Sequence, residues 1–150
     1  MKDSELQKIV KDHKLWIDSE KKQGEPADLR RADLRGADLS EADLSGADLP
    51  EASLYEANLY KANLYKANLR KADLRGVDFY EADLRGVDFR EADLRRANFY
   101  KADLCGSDLR GSDLYGADLY EANLYKADFR GAYLRGVILR GADFSGATFD

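Results

Sequence analysis

Large apolar residues recur at every fifth position from Leu29 to Phe149, which makes 25 such positions without an insertion or a gap. Two residues before each one stands alanine, valine or serine, and aspartate or asparagine lies between them with four exceptions. A period of five matches neither the 3.6-residue repeat of a helix nor the two-residue repeat of a strand. The pattern therefore predicts a backbone unit of five residues.

Each five-residue unit predicts a short strand followed by a corner. The small and the large apolar residue point inwards and the polar residue between them points outwards, as alternation along a strand requires. The second corner position holds eleven of the twelve glycines and suits a type II turn, and Pro50 stands at the first corner position. Four roughly square corners would close a coil of 20 residues, and coils would stack in parallel about 4.8 Å apart.

A period of 20 residues also appears in the corner residues. One predicted column alternates in charge, so that each carboxylate would lie between two ammonium groups: Glu41, Lys61, Glu81, Lys101 and Glu121. The neighbouring predicted column is a tyrosine ladder: Tyr60, Tyr80, Tyr100 and Tyr120. A three-sided coil, with a 15-residue period, would scramble the Glu/Lys column.

The segment ADLRGADLSEADLSGADL, Ala32 to Leu49, resembles the A(D/N)LXX signature of pentapeptide repeat proteins, and the match covers residues 27–150. This resemblance implies an all-β solenoid, a right-handed quadrilateral parallel β-helix of about six coils of four pentapeptides. One of its core columns would be Leu29, Leu49, Leu69, Phe89, Leu109, Phe129 and Phe149. The family fold also implies that aspartate and asparagine side chains bond to nearby backbone, while corner arginines relieve the remaining charge.

Residues 1–26 predict an N-terminal capping helix and linker, and residues 27–150 predict the β-helix. Ser4 and Gln7 have the spacing of a capping box, and Gly24 and Pro26 are stop signals, so the helix is predicted from about residue 4 to 22. Its apolar stripe would cover the open edge of the first coil: Leu6, Ile9, Val10, His13, Trp16 and Ile17. A partner-binding helix is the alternative interpretation.

Two outward positions of the last coil are apolar, because Tyr133 and Ile138 stand where aspartate or asparagine is usual. We expect these residues to mark a docking surface. The candidate occupants are an unknown protein partner and a second copy of the chain, which would make a homodimer through the C-terminal coil.

No catalytic, cofactor or metal site is predicted. His13 is the single histidine and lies on the apolar stripe, and Cys105 stands at a corner with no histidine nearby in the sequence. An acid/base pair needs two carboxylates in different environments, whereas a repeating surface offers nearly identical ones. Exposed tyrosines could stack on bases or sugars, but packing within a ladder is the favoured interpretation.

Composition narrows the class of function. With 24 basic and 29 acidic residues the chain carries a net charge of −5, which argues against direct nucleic-acid binding. One cysteine and the lack of a secretory signal or a membrane-spanning run of about 18 apolar residues predict a cytoplasmic protein without membrane contact. The leading hypothesis is a non-enzymatic structural and interaction scaffold.

The alternative hypothesis comes from the resemblance. Some pentapeptide repeat proteins imitate DNA, inhibit or protect DNA gyrase, and dimerise through their C-terminal coils. Residues 25–150 hold 18 basic and 24 acidic side chains, a net charge of −6, whereas a duplex of similar length carries about 18 negative charges. Arginine columns such as Arg70, Arg90, Arg110 and Arg130 would interrupt any acidic stripe.

Overall fold

A computed structural model describes residues 1–150 and contains one helix, α1, at Asp3–Asp18. From residue 28 onwards the backbone pairs only through single-residue parallel bridges. These bridges run from Asp28–Asp48 to Asp128–Thr148, and every one joins residues that are 20 apart in the sequence. Each coil therefore contains 20 residues, which is the spacing that the charged column predicts.

Every corner is a turn with a left-handed residue. In the first one the backbone N–H of Ala32 donates to the Leu29 carbonyl at 3.0 Å, and the same bond recurs at each later corner. Eleven glycines and thirteen other residues occupy the second corner positions between residues 31 and 146, and all have a positive φ. The thirteen others have φ between 53° and 60°, a conformation that costs about 1–2 kcal/mol for an ordinary residue, so coil stacking has to offset that cost.

Hydrogen bonds between coils run along the rod. The N–H of Leu29 donates to the Asp48 carbonyl at 2.8 Å, and the N–H of Asp48 donates to the Ala27 carbonyl at 3.0 Å. The corners are joined as well, since the N–H of Arg31 donates to the Pro50 carbonyl at 3.0 Å. An inner coil thus has backbone partners on both sides, as buried peptide groups require.

The core is a stack of leucine and phenylalanine side chains. All of those from Leu29 to Phe129 are at most 4% exposed. The rings of Phe79 and Phe99 stack with centroids 5.1 Å apart, and Phe89 meets both of them edge-on. Phe149 continues the predicted column by stacking on Phe129 at 5.2 Å, but it is 45% exposed because it belongs to the outermost coil.

Helix α1 differs from its predicted limits at both ends. It begins after Lys2, which makes no side-chain cap, and Ser4 lies inside the helix, so the predicted capping box was wrong. Its end comes at Asp18, well before residue 22, because Glu20 and Lys21 adopt a positive φ.

Gly24 does not stop the helix but lets the linker cross it. A Cβ atom at this position would lie 2.3 Å from the Asp12 carbonyl oxygen and 2.8 Å from the Trp16 backbone nitrogen. The chain therefore returns past α1 towards the first coil by a route that only glycine allows.

The apolar stripe of α1 faces the first coil. Leu6 and His13 are buried, and Ile9, Val10, Trp16 and Ile17 are half-buried. The Nδ1 atom of His13 accepts the N–H of Ala27 at 2.9 Å, so Nε2 carries the proton and donates to the Ser45 carbonyl at 3.0 Å. Burial lowers the pKa of His13, which favours this neutral form.

Candidate functional site

The outward aspartates and asparagines hydrogen-bond to neighbouring residues. Except at Asp48, where Pro50 has no N–H to donate, their Oδ1 atoms accept the backbone N–H two residues later, as Asn58 does from Tyr60 at 3.0 Å. Where an asparagine lies one coil after an aspartate, its amide also donates to that carboxylate, as Asn58 does to Asp38 at 3.0 Å. The same amide bond occurs from Asn63, Asn68, Asn98 and Asn123.

Aspartates that stack directly on each other are bridged by arginine. Arg110, for example, donates to both oxygens of Asp108, at 2.8 and 2.6 Å, and its Nε lies 3.7 Å from Asp128 in the next coil. All six stacked aspartate pairs contain such a bridge, made by Arg30, Arg75, Arg85, Arg90, Arg95 and Arg110. Where an asparagine lies one coil after an aspartate, the corner residue two positions after that aspartate is serine, proline, tyrosine or cysteine.

The ion pairs confirm that corner arginines relieve the charge of the aspartates, but the rule that links the corner residue to the residue in the following coil was not predicted. The signal was present, because within residues 27–150 every aspartate that has another aspartate 20 residues later also has an arginine two residues later. The arrangement neutralises the carboxylates and cross-links neighbouring coils.

Arginines at the corners also determine the pKa of the carboxylates that they contact. Hydrogen bonds from Arg30 and Arg35 lower the pKa of Asp28 and of Asp33 to about 2. A paired arginine likewise lowers the pKa of Asp88, against the opposing effect of burial. Carboxylates held ionised in this way are poorly suited to proton transfer near neutral pH. No group of three acidic, histidine or cysteine residues is placed to hold a metal ion.

The predicted tyrosine ladder packs ring against ring, with Tyr60 and Tyr80 stacked and the two later pairs tilted by 42° and 32°. Neighbouring centroids along Tyr60, Tyr80, Tyr100 and Tyr120 are 5.1 to 5.4 Å apart. Two lysine ammonium groups lie over rings of this ladder, Lys61 over Tyr60 at 5.0 Å and Lys101 over Tyr100 at 5.2 Å. These contacts occupy part of the aromatic surface that a base or a sugar would need.

The charged column forms separate pairs, which differs from the predicted continuous chain. Lys61 pairs with Glu81 at 3.4 Å and Lys101 pairs with Glu121 at 3.8 Å. Each lysine reaches the glutamate of the following coil while its ammonium group lies over the tyrosine before it, so Glu41 has no lysine within ion-pair distance.

The last coil presents a different surface, which we call the last-coil patch: Tyr133, Arg135, Gly136, Ile138 and Arg140. Tyr133 is 69% exposed and Ile138 is 50% exposed, more than any other large hydrophobic side chain in the molecule. Each stands where, in most five-residue units, an aspartate or asparagine accepts the N–H of the corner residue two positions later. All four second corner positions of this coil are glycine: Gly131, Gly136, Gly141 and Gly146.

Comparison with known proteins now identifies the repeat. The family model for pentapeptide repeats matches residues 27–64, 37–76, 72–111 and 112–150, with eight copies. The chain belongs to the pentapeptide repeat family. A search of curated proteins finds no match to this pentapeptide repeat protein.

Several solved structures are similar to this pentapeptide repeat protein. HetL, from the cyanobacterium Nostoc sp. strain PCC 7120 and involved in heterocyst differentiation regulation, is 35% identical over 80% of this chain and 75% of HetL, with a TM-score of 0.39. The alr5209 protein from Nostoc PCC 7120 is 40% identical over 55% of this chain and 64% of its own, with a TM-score of 0.47. Full-length QnrB1, a plasmid-mediated fluoroquinolone resistance protein, is 20% identical over 87% and 70%, with a TM-score of 0.34.

Membership of the family, together with the geometry above, makes this chain a pentapeptide repeat scaffold. The likeness to QnrB1 carries no argument about function, because the identity and the TM-score are both low. Helix α1 of this chain is neither long enough nor apolar enough to cross a membrane.

Proposed function

We propose that this pentapeptide repeat protein is a non-enzymatic docking scaffold that binds a partner protein through its last coil. In this proposal the repeat is a right-handed quadrilateral β-helix whose N-terminal edge is closed by α1, so that docking takes place at the opposite end. The supporting observation is the pair of exposed apolar side chains, Tyr133 and Ile138, at outward positions that hold a polar residue in all 23 of the other five-residue units.

The energetic argument depends on what the rest of the surface already contacts. Outside the last coil the arginines at first corner positions make ion pairs, the tyrosines of the ladder pack on one another, and Lys101 lies over Tyr100, so these groups gain little from an outside ligand. Tyr133 and Ile138 lie in water, and burying them stabilises a complex by about 25 cal/mol per Å² of apolar surface. Tyrosine and arginine are also the residues enriched in binding hot spots.

The groups that could act in catalysis support the non-enzymatic part of the proposal. His13 is buried and makes two hydrogen bonds to backbone, and the carboxylates are held in repeated ion pairs. Cys105 is half-buried at a corner and is free. A reducing compartment such as the cytoplasm is part of this proposal, because a single cysteine offers no internal disulfide.

A double variant tests the docking function. Tyr133→Asn with Ile138→Asn places asparagine after Asp113 and Asp118, the arrangement that Asn98 makes with Asp78 at 2.9 Å, so the fold is expected to persist. Affinity capture from a host lysate and sedimentation velocity would compare this variant with the parent chain. We expect a captured partner, or a homodimer, to be lost in the double variant.

The matched control is Tyr125→Ser, because Tyr125 is 40% exposed and serine occupies its column at Ser45 and Ser145. This control should bind like the parent chain. Identical capture and identical mass for the parent chain and the double variant would contradict the proposal.

The gyrase alternative has its own test, a DNA supercoiling assay with purified protein. No observation in the structure favours DNA mimicry, because each stacked aspartate pair contains an arginine bridge. We expect no inhibition of supercoiling at a micromolar excess of protein.

A further inference from the structure

We infer that the last-coil patch binds an acidic protein segment that also carries apolar side chains. This inference rests on the proposed docking function and specifies the chemistry of its partner. It is carried by two arginines whose usual intramolecular partners are missing.

The charge argument comes from a comparison of all first-corner arginines. Eleven arginines occupy such positions, and nine of them make an ion pair within the chain. The two exceptions are Arg135 and Arg140, which follow Tyr133 and Ile138 instead of an aspartate. Arg135 is exposed and has no acidic partner, and Arg140 only approaches the ring of Tyr120, at 6.0 Å. The substitutions that expose apolar surface therefore also leave two guanidinium groups free.

The order of residues around the coil brings both properties to one place. Tyr133 and Ile138 are the outward residues of two successive sides, with Arg135 and Gly136 at the corner between them and Arg140 at the next corner. One coil earlier, Tyr115 adds a ring that is 47% exposed. A segment lying around this corner would meet apolar and cationic groups in alternation.

Glycine at position 136 keeps the corner open. The backbone does not demand it, because Glu56 and Arg96 hold the equivalent position in earlier coils with φ of 54° and 59°. Without a side chain at Gly136, a partner can approach the corner backbone between Tyr133 and Ile138.

Charge also argues against the other occupants. In a symmetric dimer built on this patch, two positively charged surfaces would face each other, which is unfavourable. The acidic groups of this coil are partly engaged, since Asp143 accepts the Ser145 N–H and Asp150 accepts the Gly131 N–H, at 2.9 and 2.6 Å. A carboxylate-bearing segment gains charge-assisted, two-pronged hydrogen bonds from Arg135 and Arg140, while its apolar residues cover Tyr133 and Ile138.

The test is a selection of random 12-residue displayed peptides on the full chain, with counter-selection on the Tyr133→Asn, Ile138→Asn variant. We expect the enriched peptides to be net acidic, to contain apolar residues, and to bind less tightly as salt concentration rises. Replacing both arginines, Arg135→Ser with Arg140→Ser, should weaken their binding by about tenfold or more, the effect of losing one charge-assisted hydrogen bond. Serine already occupies this kind of corner at Ser40 and Ser145.

The outcomes separate the inference from the function on which it rests. Peptides that need Tyr133 and Ile138 but are neutral or basic, or that tolerate the loss of both arginines, would overturn the inference and keep the docking function. Peptides that bind the counter-selection variant equally well, or no enrichment at all, would count against both. A dimer that the double variant abolishes would assign the patch to a second copy and overturn the inference.

Discussion

The first and the last coil are built from five-residue units of the same kind, but their large apolar side chains differ in how far they are exposed to water. The four leucines of the first coil are at most 4% exposed, whereas Leu139 and Phe149 in the last coil are 41% and 45% exposed. Helix α1 makes the difference, because its stripe lies on the first coil and His13 bonds to the backbone at Ala27 and Ser45. The pentad specifies a coil, and the neighbour of that coil decides how much apolar surface remains in water.

The outward side chains of the two coils also differ, because those of the first coil make more contacts within the chain. Asp28 and Asp33 in the first coil bind Arg30 and Arg35 two residues later. In the last coil the residue two positions before Arg135 is Tyr133. Its side chain has no carboxylate to accept hydrogen bonds from the Arg135 guanidinium group. The first coil is therefore closed by internal contacts, and the last coil keeps groups for an external contact.

The largest predicted effect is on the free energy of unfolding, and it compares a core phenylalanine in the middle of the rod with one in the last coil. Phe89→Ala should lower the free energy of unfolding by about 3–5 kcal/mol, because Phe89 is fully buried and contacts the rings of Phe79 and Phe99. Phe149→Ala should cost clearly less, since Phe149 is 45% exposed. Urea unfolding measures both, and equal losses would show that the last coil is packed as tightly as the middle of the rod.

The linker between α1 and the rod provides the next prediction. Gly24→Ala should destabilise the docked helix by about 1–3 kcal/mol, because the new methyl group overlaps backbone atoms of Asp12 and Trp16. The matched control is Gly36→Ala, a glycine with similar φ and open space around its Cβ position, which should cost less. Proteolysis near residues 19–26 would report undocking, and equal sensitivity of the two variants would argue against the close crossing.

Acid should loosen the first coil and leave the last coil unchanged. Burial lowers the pKa of His13, although Asp43 nearby opposes the shift, so the folded chain binds the proton less readily than the unfolded chain. The stabilising contribution is fully present above the ordinary histidine pKa of about 6.5 and is lost as pH falls through the lowered value.

Protonation of Nδ1 would break the bond from the Ala27 N–H, worth about 1–3 kcal/mol when its donor is left unpaired. The single tryptophan, Trp16, stacks on His13 at 5.5 Å and should report the change by fluorescence. A His13→Gln variant is the control, and a signal that still titrates in this variant would contradict the assignment to His13.

The smallest predicted effect tests the arginine rule. Asn98→Asp would place a carboxylate between Asp78 and Asp118, with Tyr80 and Tyr100 at the corners instead of arginine. We expect a loss of about 0.2–1 kcal/mol at neutral pH from like-charge repulsion, recovered as acid protonates the new carboxylate. Thr148→Asp is the control, because Arg130 follows the stacked Asp128, and thermal unfolding should show a smaller change there.

Much of the rod follows from the sequence alone. Alternation of small, polar and large residues determines which side chains are inside, and the glycines at second corner positions determine the turn that thirteen other residues then adopt. The sign alternation of Glu41, Lys61 and Glu81 reveals the coil length, because only a 20-residue coil brings them into one column. These features depend on local backbone geometry repeated without interruption, which a sequence states directly.

Only the tertiary structure decided which groups pair and which stay free. Lys61 reaches Glu81 but not Glu41, α1 ends at Asp18 because the following residues turn left-handed, and Arg135 and Arg140 stand unpaired while nine similar arginines are neutralised. Such outcomes depend on the reach of flexible side chains and on what lies in the adjacent coil, at distances of a few ångströms between residues 20 positions apart. A linear pattern names the candidates for each contact, but the stacked coils select among them.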